Sequence, residues 1–117
     1  AYTSPHAIWQ HVARKNLHIP FLLGGKIADR ICRRRLSLGS DACSTPDALS
    51  ATKKPVLLIH GEDDHFVPVR MAYENQAACA APCQLLVVPG ADHAMSCYMD
   101  PQEYEEALRH FWSAYDA

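Results

Sequence analysis

The sequence contains no long apolar run, no strong excess of charge and no paired-cysteine motif. No apolar stretch approaches the roughly 20 residues that cross a membrane, and the start shows no signal-peptide pattern. A net charge of -2 gives no basis for a nucleic acid or another polyanion as partner. We therefore predict neither a membrane nor a nucleic-acid partner.

The five cysteines are odd in number, irregularly spaced and without a C-x-x-C pair. This usage argues against the disulfide framework of a small secreted protein and predicts reduced thiols in the cytoplasm. The 117 residues, 49% of them hydrophobic and 21% charged, fit one globular domain. The first residues, "AYTSP", include no methionine, and we expect a fragment or a processed product.

Helical patterns dominate residues 1–53. A helix is predicted to open in "TSPHAIWQHVARKNLH", where Ser4 can cap and Pro5 occupies a position that needs no N–H donor. A second helix is predicted over "PFLLGGKIADRICRRRL", because apolar residues recur at four-residue spacing, although two glycines weaken its beginning. These apolar residues are Leu23, Ile27 and Ile31. We interpret the arginines opposite them as a solvated face rather than a phosphate-binding patch. The polar stretch that follows is a connector with room for one helical turn after Pro46.

Strand and helix patterns alternate in residues 54–117. Val56–His60 and Leu85–Val88 are continuous apolar segments, which are typical of parallel strands buried on both faces. Between them "VRMAYENQAACAA" favours a helix, and a final helix is predicted over "DPQEYEEALRHFWSAYDA", with Asp100 as its cap. The apolar stripe of that helix comprises Tyr104, Leu108, Phe111 and Tyr115. This order predicts an α/β fold, a βαβα unit whose two strands are parallel.

Ionisable side chains follow both predicted strands. The first loop, Gly61–Pro68, offers acids and a histidine, and the second, Pro89–Tyr98, offers Asp92 and His93. Because the carboxyl ends of parallel strands meet at one edge of the sheet, an acid of the first loop can contact a histidine of the second. A carboxylate that accepts from Nδ1–H fixes the tautomer of the imidazole, which is the orienting half of a Ser-His-Asp apparatus.

Two motifs in these loops resemble the α/β-hydrolase family. "HGEDDHFVP" resembles the family's HG-x-x-D-x-x-V-P segment, whose aspartate is the triad acid, and the anchors at both ends select Asp64 rather than Asp63 or Glu62. "GADH" resembles the G-x-x-H of the loop after the last strand, which carries the triad histidine, here His93. The order of acid and histidine also agrees with that family. The resemblance is specific over residues 54–112 and is nearest to bacterial serine-peptidase-like or esterase-like hydrolases.

The chain lacks the nucleophile motif of that family. Neither G-x-S-x-G nor an oxyanion-loop H-G-G occurs in it. The resemblance implies the C-terminal portion of a serine hydrolase that acts on small-molecule or peptide esters or amides without a cofactor. Residues 1–53 would be a cap-like helical segment and residues 54–117 the βαβα unit. We expect the chain to be inactive alone, because its serine would lie upstream.

An alternative interpretation is a non-catalytic domain that dimerises or docks with an N-terminal half. Parallel strands normally have neighbours on both edges, and two predicted strands leave at least one edge open. The N-terminal helices would also leave apolar side chains uncovered, among them Ile8, Phe21 and Leu22. The dimer hypothesis rests on these two expectations.

The other ionisable residues have simpler interpretations. We expect His60 to brace a loop, and His65 and Asp92 to be solvated. A metal site would draw on His60, Asp64, His93 and Cys97. No pair among them has H-x-x-x-H or C-x-x-C spacing, so we predict no metal.

The cysteines of residues 54–117 are expected to be small residues in or near the core. These are Cys79, Cys83 and Cys97. We assign no cysteine nucleophile, because Cys97 follows His93 by four residues on the same loop, which is poor geometry for a reacting pair.

Overall fold

The computed structural model describes residues 2–17, 21–39 and 42–116, and for residues 16–17 and 21–23 it describes the backbone alone. Helices surround a small parallel sheet. In chain order the described elements are α1 (Pro5–Val12), a π-helical segment (Ala13–Leu17), α2 (Phe21–Leu36), α3 (Thr45–Ala51), β1 (Val56–Gly61), α4 (Arg70–Ala78), β2 (Cys83–Val88), α5 (Ser96–Met99) and α6 (Pro101–Tyr115). Within these ranges, no helix combines the length and the apolar character that a membrane span requires.

The two strands pair in parallel, as predicted. Their register runs from Val56 opposite Cys83 to Gly61 opposite Val88, so both strands extend slightly beyond the predicted bounds. Helix α4 connects them, and its Met71 is fully buried. The expected burial on both faces is wrong for this chain, because most residues of both strands are only half-buried. Parallel pairing nevertheless brings both carboxyl ends to one edge.

Helix α1 begins as its sequence predicts. The Ser4 hydroxyl accepts from the Ala7 N–H at 3.1 Å, and Pro5 is the first helical residue. Ile8 is buried against Val67 and Met71, so the expectation that it stays uncovered is wrong. This contact joins the N-terminal helix to the loop and helix that follow β1.

Helix α2 forms where it is predicted, but its apolar stripe is not covered. Ile27 is 61% and Ile31 55% exposed. The side chains of Phe21, Leu22 and Leu23 lie outside those that the structure describes. The arginines are exposed as expected, and Arg33 pairs with Asp29 at 2.7 Å. An exposed ion pair of this kind contributes at most about 1 kcal/mol.

The predicted connector contains more structure than one helical turn. Helix α3 has seven residues, and the Ser44 hydroxyl caps it by accepting from the Asp47 N–H at 3.3 Å. Its Leu49 carbonyl accepts from the Ala80 N–H at 3.1 Å. The connector is therefore fixed against the segment that leads into β2.

Helix α6 has the predicted cap and covers one side of β1. Asp100 Oδ1 accepts from the Glu103 N–H at 2.9 Å. Of its apolar stripe, Phe111 is buried, Tyr104 and Leu108 are half-buried, and Tyr115 is exposed. An open groove of about 510 Å³ remains between α6 and β1.

The end of β1 lies in close contact with the loop that follows β2. A Cβ atom at Gly61 would overlap the carbonyl group of Ala91. The neighbouring backbone is hydrogen-bonded across the same gap, from the Asp63 N–H to the Ala91 oxygen at 3.1 Å. Gly61 is therefore required by the approach of two main chains, and any side chain there would force them apart.

We predict that Gly61→Ala destabilises the chain by about 1–3 kcal/mol, because the added methyl group has no room. Gly24→Ala is the matched control, since a Cβ there meets no atom within 4 Å. That substitution in a helix should stabilise by about 0.5–1 kcal/mol. Urea unfolding of both variants measures the difference, and equal stabilities would contradict the close approach at Gly61.

Candidate active site

Two loops at the carboxyl edge of the sheet form the candidate site. The loop after β1 is tied to the end of β2, because the Glu62 N–H donates to the Val88 oxygen at 2.9 Å. The side chains of Glu62 and Asp63 are exposed to solvent, as the sequence predicts for them. Asp64 instead turns inward, and its side chain is 3% exposed.

Asp64 is held by the turn that it begins. Its Oδ1 accepts from the N–H groups of Phe66, at 2.9 Å, and Val67, at 2.6 Å. Such bonds from an aspartate to the backbone two and three residues on are typical of tight turns. They use one carboxylate oxygen and leave Oδ2 for a partner on the other loop.

That partner is His93. Its Nδ1 lies 2.8 Å from Asp64 Oδ2. Because an ionised carboxylate only accepts, the bond requires the proton on Nδ1 and leaves the lone pair on Nε2. The side chain of His93 is 51% exposed, and its ring meets Phe66 edge to face at 5.1 Å between centroids. The structure thus brings the two predicted site residues together; their catalytic role stays a prediction.

His60 has the bracing position expected of it. It is buried at the end of β1, and its Nε2 donates to the Val67 oxygen at 2.8 Å. The same nitrogen lies 3.4 Å from Asp64 Oδ2. His60 therefore fixes the loop at Val67 and places an N–H group near the same carboxylate oxygen that His93 contacts.

Opposing effects act on the ionisation of Asp64. Burial raises the pKa of its carboxyl group, but the Val67 N–H, the His93 side chain and the Phe66 N–H together outweigh burial, so that the net pKa lies below the usual 3.8. Hydrogen bonds donated to the charged form always act in this direction. Asp64 is therefore ionised at neutral pH, as the bond to Nδ1–H requires.

Asp92 has a role that the sequence analysis missed. It is solvated, as expected, with 55% of its side chain exposed, yet its Oδ1 accepts from the N–H groups of His65 and His93 at 2.9 and 2.7 Å. These two backbone donors hold the pKa of Asp92 below its usual value. The position of Asp92 directly before the candidate histidine was the only hint of this role in the sequence. The two N–H groups that Asp92 binds lie on different loops, and only the fold brings those loops together.

The sequence also raised a metal ion and a cysteine nucleophile as alternatives. Among the described residues, no group of three or more histidine, cysteine or acidic side chains is arranged to hold a metal ion. Cys97 is exposed, so its expected place in or near the core is wrong, whereas Cys79 and Cys83 are half-buried. Burial and the adjacent Cys79 raise the pKa of Cys83 to about 11, so Cys83 is a protonated thiol at neutral pH.

Two solved esterases have a similar fold. The Pyrococcus furiosus esterase PF2001 matches with a TM-score of 0.60 and 18% identity, over 97% of this chain and 42% of that one. The esterase Est2 of Thermogutta terrifontis matches with a TM-score of 0.54 and 24% identity, over 70% of this chain and 31% of that one. At these identities the likeness shows the fold alone, a mixed helix and strand fold similar to that of esterases.

The sequence relatives include two bacterial proteins from different organisms. The uncharacterized protein Rv2307c of Mycobacterium tuberculosis is 33% identical over 78 residues, which are 67% of this chain and 27% of that protein. The uncharacterized protein YqkD of Bacillus subtilis is 27% identical over 85 residues, 73% of this chain and 28% of that protein. No protein-family profile matches. The chain thus spans little more than a quarter of the length of these curated relatives.

We predict that Asp64 contributes to acid unfolding. Its lowered pKa means that the unfolded chain binds this proton more readily, so the contribution is complete above the usual pKa of 3.8 and is lost as the pH falls through the lowered value. The free energy of unfolding should therefore depend less on pH in Asp64→Asn than in the wild type. Urea titrations from about pH 6 to about pH 2 measure this. Asp63→Asn, at an exposed neighbour, is the control; the same flattening there would contradict the assignment.

Proposed function

We propose that this chain is the C-terminal α/β portion of a serine hydrolase of the esterase or peptidase type. In this proposal Asp64 is the acid and His93 the base of the catalytic triad. The observation that carries it is the 2.8 Å bond between His93 Nδ1 and the buried carboxylate of Asp64. The esterase-like fold supports it, and so does the length of the similar proteins, since the chain spans less than half of each.

The proposed reaction moves one proton back and forth at Nε2 of His93. A serine outside these 117 residues attacks the carbonyl carbon of an ester or amide while Nε2 takes the serine proton, and Asp64 stabilises the imidazolium. His93 then gives that proton to the leaving alcohol or amine as the bond to it breaks. Water attacks the resulting acyl-serine with His93 again as base, which releases the carboxylic acid and restores the serine. These steps need no cofactor.

The orientation of His93 suits this role. Its Nδ1 is committed to Asp64, so the basic nitrogen is Nε2, and half of the side chain is open to approach. The exposed ring of Phe66 lies beside the imidazole and offers an apolar contact to the acyl or leaving group of a small-molecule or peptide substrate. A cytoplasmic location and a division into residues 1–53 and 54–117 remain part of the proposal.

A second candidate function is a non-catalytic domain that docks with an N-terminal half or with another copy. Exposed apolar surface favours it, in particular Ile27 and Ile31 on α2. In the described part of the chain β1 pairs with β2 alone, and an open strand edge is a template for another strand. The two functions are compatible if the partner is the portion that carries the serine.

We predict that Asp64→Asn in the complete protein lowers turnover by up to about 10⁴ while the protein stays folded, because the asparagine can hold the wrong tautomer of His93. Ester hydrolysis and circular dichroism of the same preparation measure the two effects. Asp63→Asn should keep wild-type turnover. Full turnover in Asp64→Asn would assign the acid to another residue.

We predict that the 117-residue chain alone hydrolyses p-nitrophenyl acetate no faster than free imidazole, because a serine and oxyanion donors supply nearly all of the rate enhancement. Adding the separately expressed N-terminal portion should restore saturable turnover. Light scattering of the chain alone should show a dimer or larger species. Turnover by the chain alone that a serine-directed phosphonate abolishes would refute the proposed division of the triad.

A further inference from the structure

The carboxylate of Asp92 joins the main chains of the two loops. Its Oδ1 accepts from the His65 N–H at 2.9 Å and from the His93 N–H at 2.7 Å. Its Oδ2 lies 3.3 Å from His65 Nδ1. One side chain thus binds the residue next to Asp64 on the first loop and His93 itself on the second.

His65 is held from a second direction as well. Its carbonyl oxygen accepts from Lys15 Nζ at 3.0 Å, so a residue of the N-terminal helical region also fixes this loop. The main chain at His65 has little freedom to move away from Asp92. Because Asp64 precedes His65 directly, these contacts add to those of its own turn in holding the Asp64 carboxylate.

The second loop needs such contacts because its local conformation is unfavourable. Ala94, directly after His93, has a φ of 59°, in the left-handed region that residues with a Cβ rarely adopt. The turn is closed by the Met95 N–H, which donates to the Asp92 carbonyl oxygen at 3.1 Å. Both the main chain and the side chain of Asp92 therefore hold the segment that presents His93.

We propose that Asp92 is a positioning residue for the proposed reaction, in which its carboxylate sets the distance between Asp64 and His93 by binding one N–H group on each loop. This inference rests on the proposed function and goes beyond it, since Asp92 contacts neither the reacting atoms nor the tautomer-fixing bond. Oδ1 is the atom that matters, because it alone accepts from both main chains.

The charge of Asp92 has a smaller part in this arrangement. The side chains of His65 and Asp92 are 70% and 55% exposed, and ion pairs exposed to this degree are weakened by water and salt. Asparagine at position 92 retains an oxygen that can accept both N–H groups. Alanine removes it, so the two substitutions separate the role of the oxygen from that of the charge.

The test measures kcat and KM of the complete protein with p-nitrophenyl acetate. Asp92→Ala should lower kcat by about 10- to 100-fold and leave KM within about twofold, because a small misplacement of the base slows the chemical step. Asp92→Asn should recover kcat to within about threefold of the wild type. His65→Ala, which keeps the backbone N–H, should do the same, and Asp63→Ala should match the wild type.

A second measurement follows the imidazole itself. The ¹⁵N shifts of His93, in the complete protein labelled at histidine, should show the single Nδ1–H tautomer in the wild type and in Asp92→Asn. Asp92→Ala should show a mixture of tautomers while urea unfolding confirms that it is folded. A role in stability alone would leave the tautomer of the folded protein unchanged.

The outcomes separate the two proposals. Wild-type kcat and a single tautomer in Asp92→Ala, with turnover lost in Asp64→Asn, would overturn the positioning role and leave the proposed function standing. Equal losses in Asp92→Ala and Asp92→Asn would overturn the assignment to Oδ1. Full turnover in Asp64→Asn would instead refute the proposed function on which the inference rests.

Discussion

The missing side chain at Gly61 is the constraint on which the site depends. It lets the end of β1 approach the Ala91 carbonyl, and the Asp63 N–H then bonds to that oxygen at 3.1 Å. A Cβ at this position would overlap the Ala91 carbonyl group, so the two main chains would have to move apart and weaken this hydrogen bond. The contact between Asp64 and His93 is therefore a consequence of backbone packing at the sheet edge, and not of side-chain attraction alone.

A buried carboxylate at this edge must be compensated by several donors. Asp64 receives two backbone N–H groups and the imidazole of His93, and His60 Nε2 lies 3.4 Å from the same oxygen that His93 contacts. Removal of a carboxylate from water costs several kcal/mol unless such bonds replace its hydration. The same donors keep the group ionised, so the features that make its burial tolerable also determine which nitrogen of His93 carries the proton.

Features set by neighbouring residues were predictable from the sequence, and features set by distant ones were not. Ser4 and Asp100 cap their helices because each contact lies within one turn. The paired anchors around Asp64 selected, among the three acids of that loop, the one whose side chain turns inward. The bridging role of Asp92 depends on how closely the two loops approach each other. The exposure of Ile27 depends on which parts of the fold pack against α2. The spacing of residues along the chain predicts neither. The cap of α3 at Ser44 could also have been predicted from the sequence, because the serine and the N–H group that it binds are three residues apart.

The interlocking of the two loops also limits how the protein can vary. Gly61 packs against the second loop, and Asp92 bonds to the first, so each loop is part of the other's support. An insertion or deletion in one of them would displace the anchor points of both, although surface loops ordinarily tolerate changes of length well. A designer who wishes to graft this edge onto another scaffold would have to transfer both segments together, with the strand spacing that separates them.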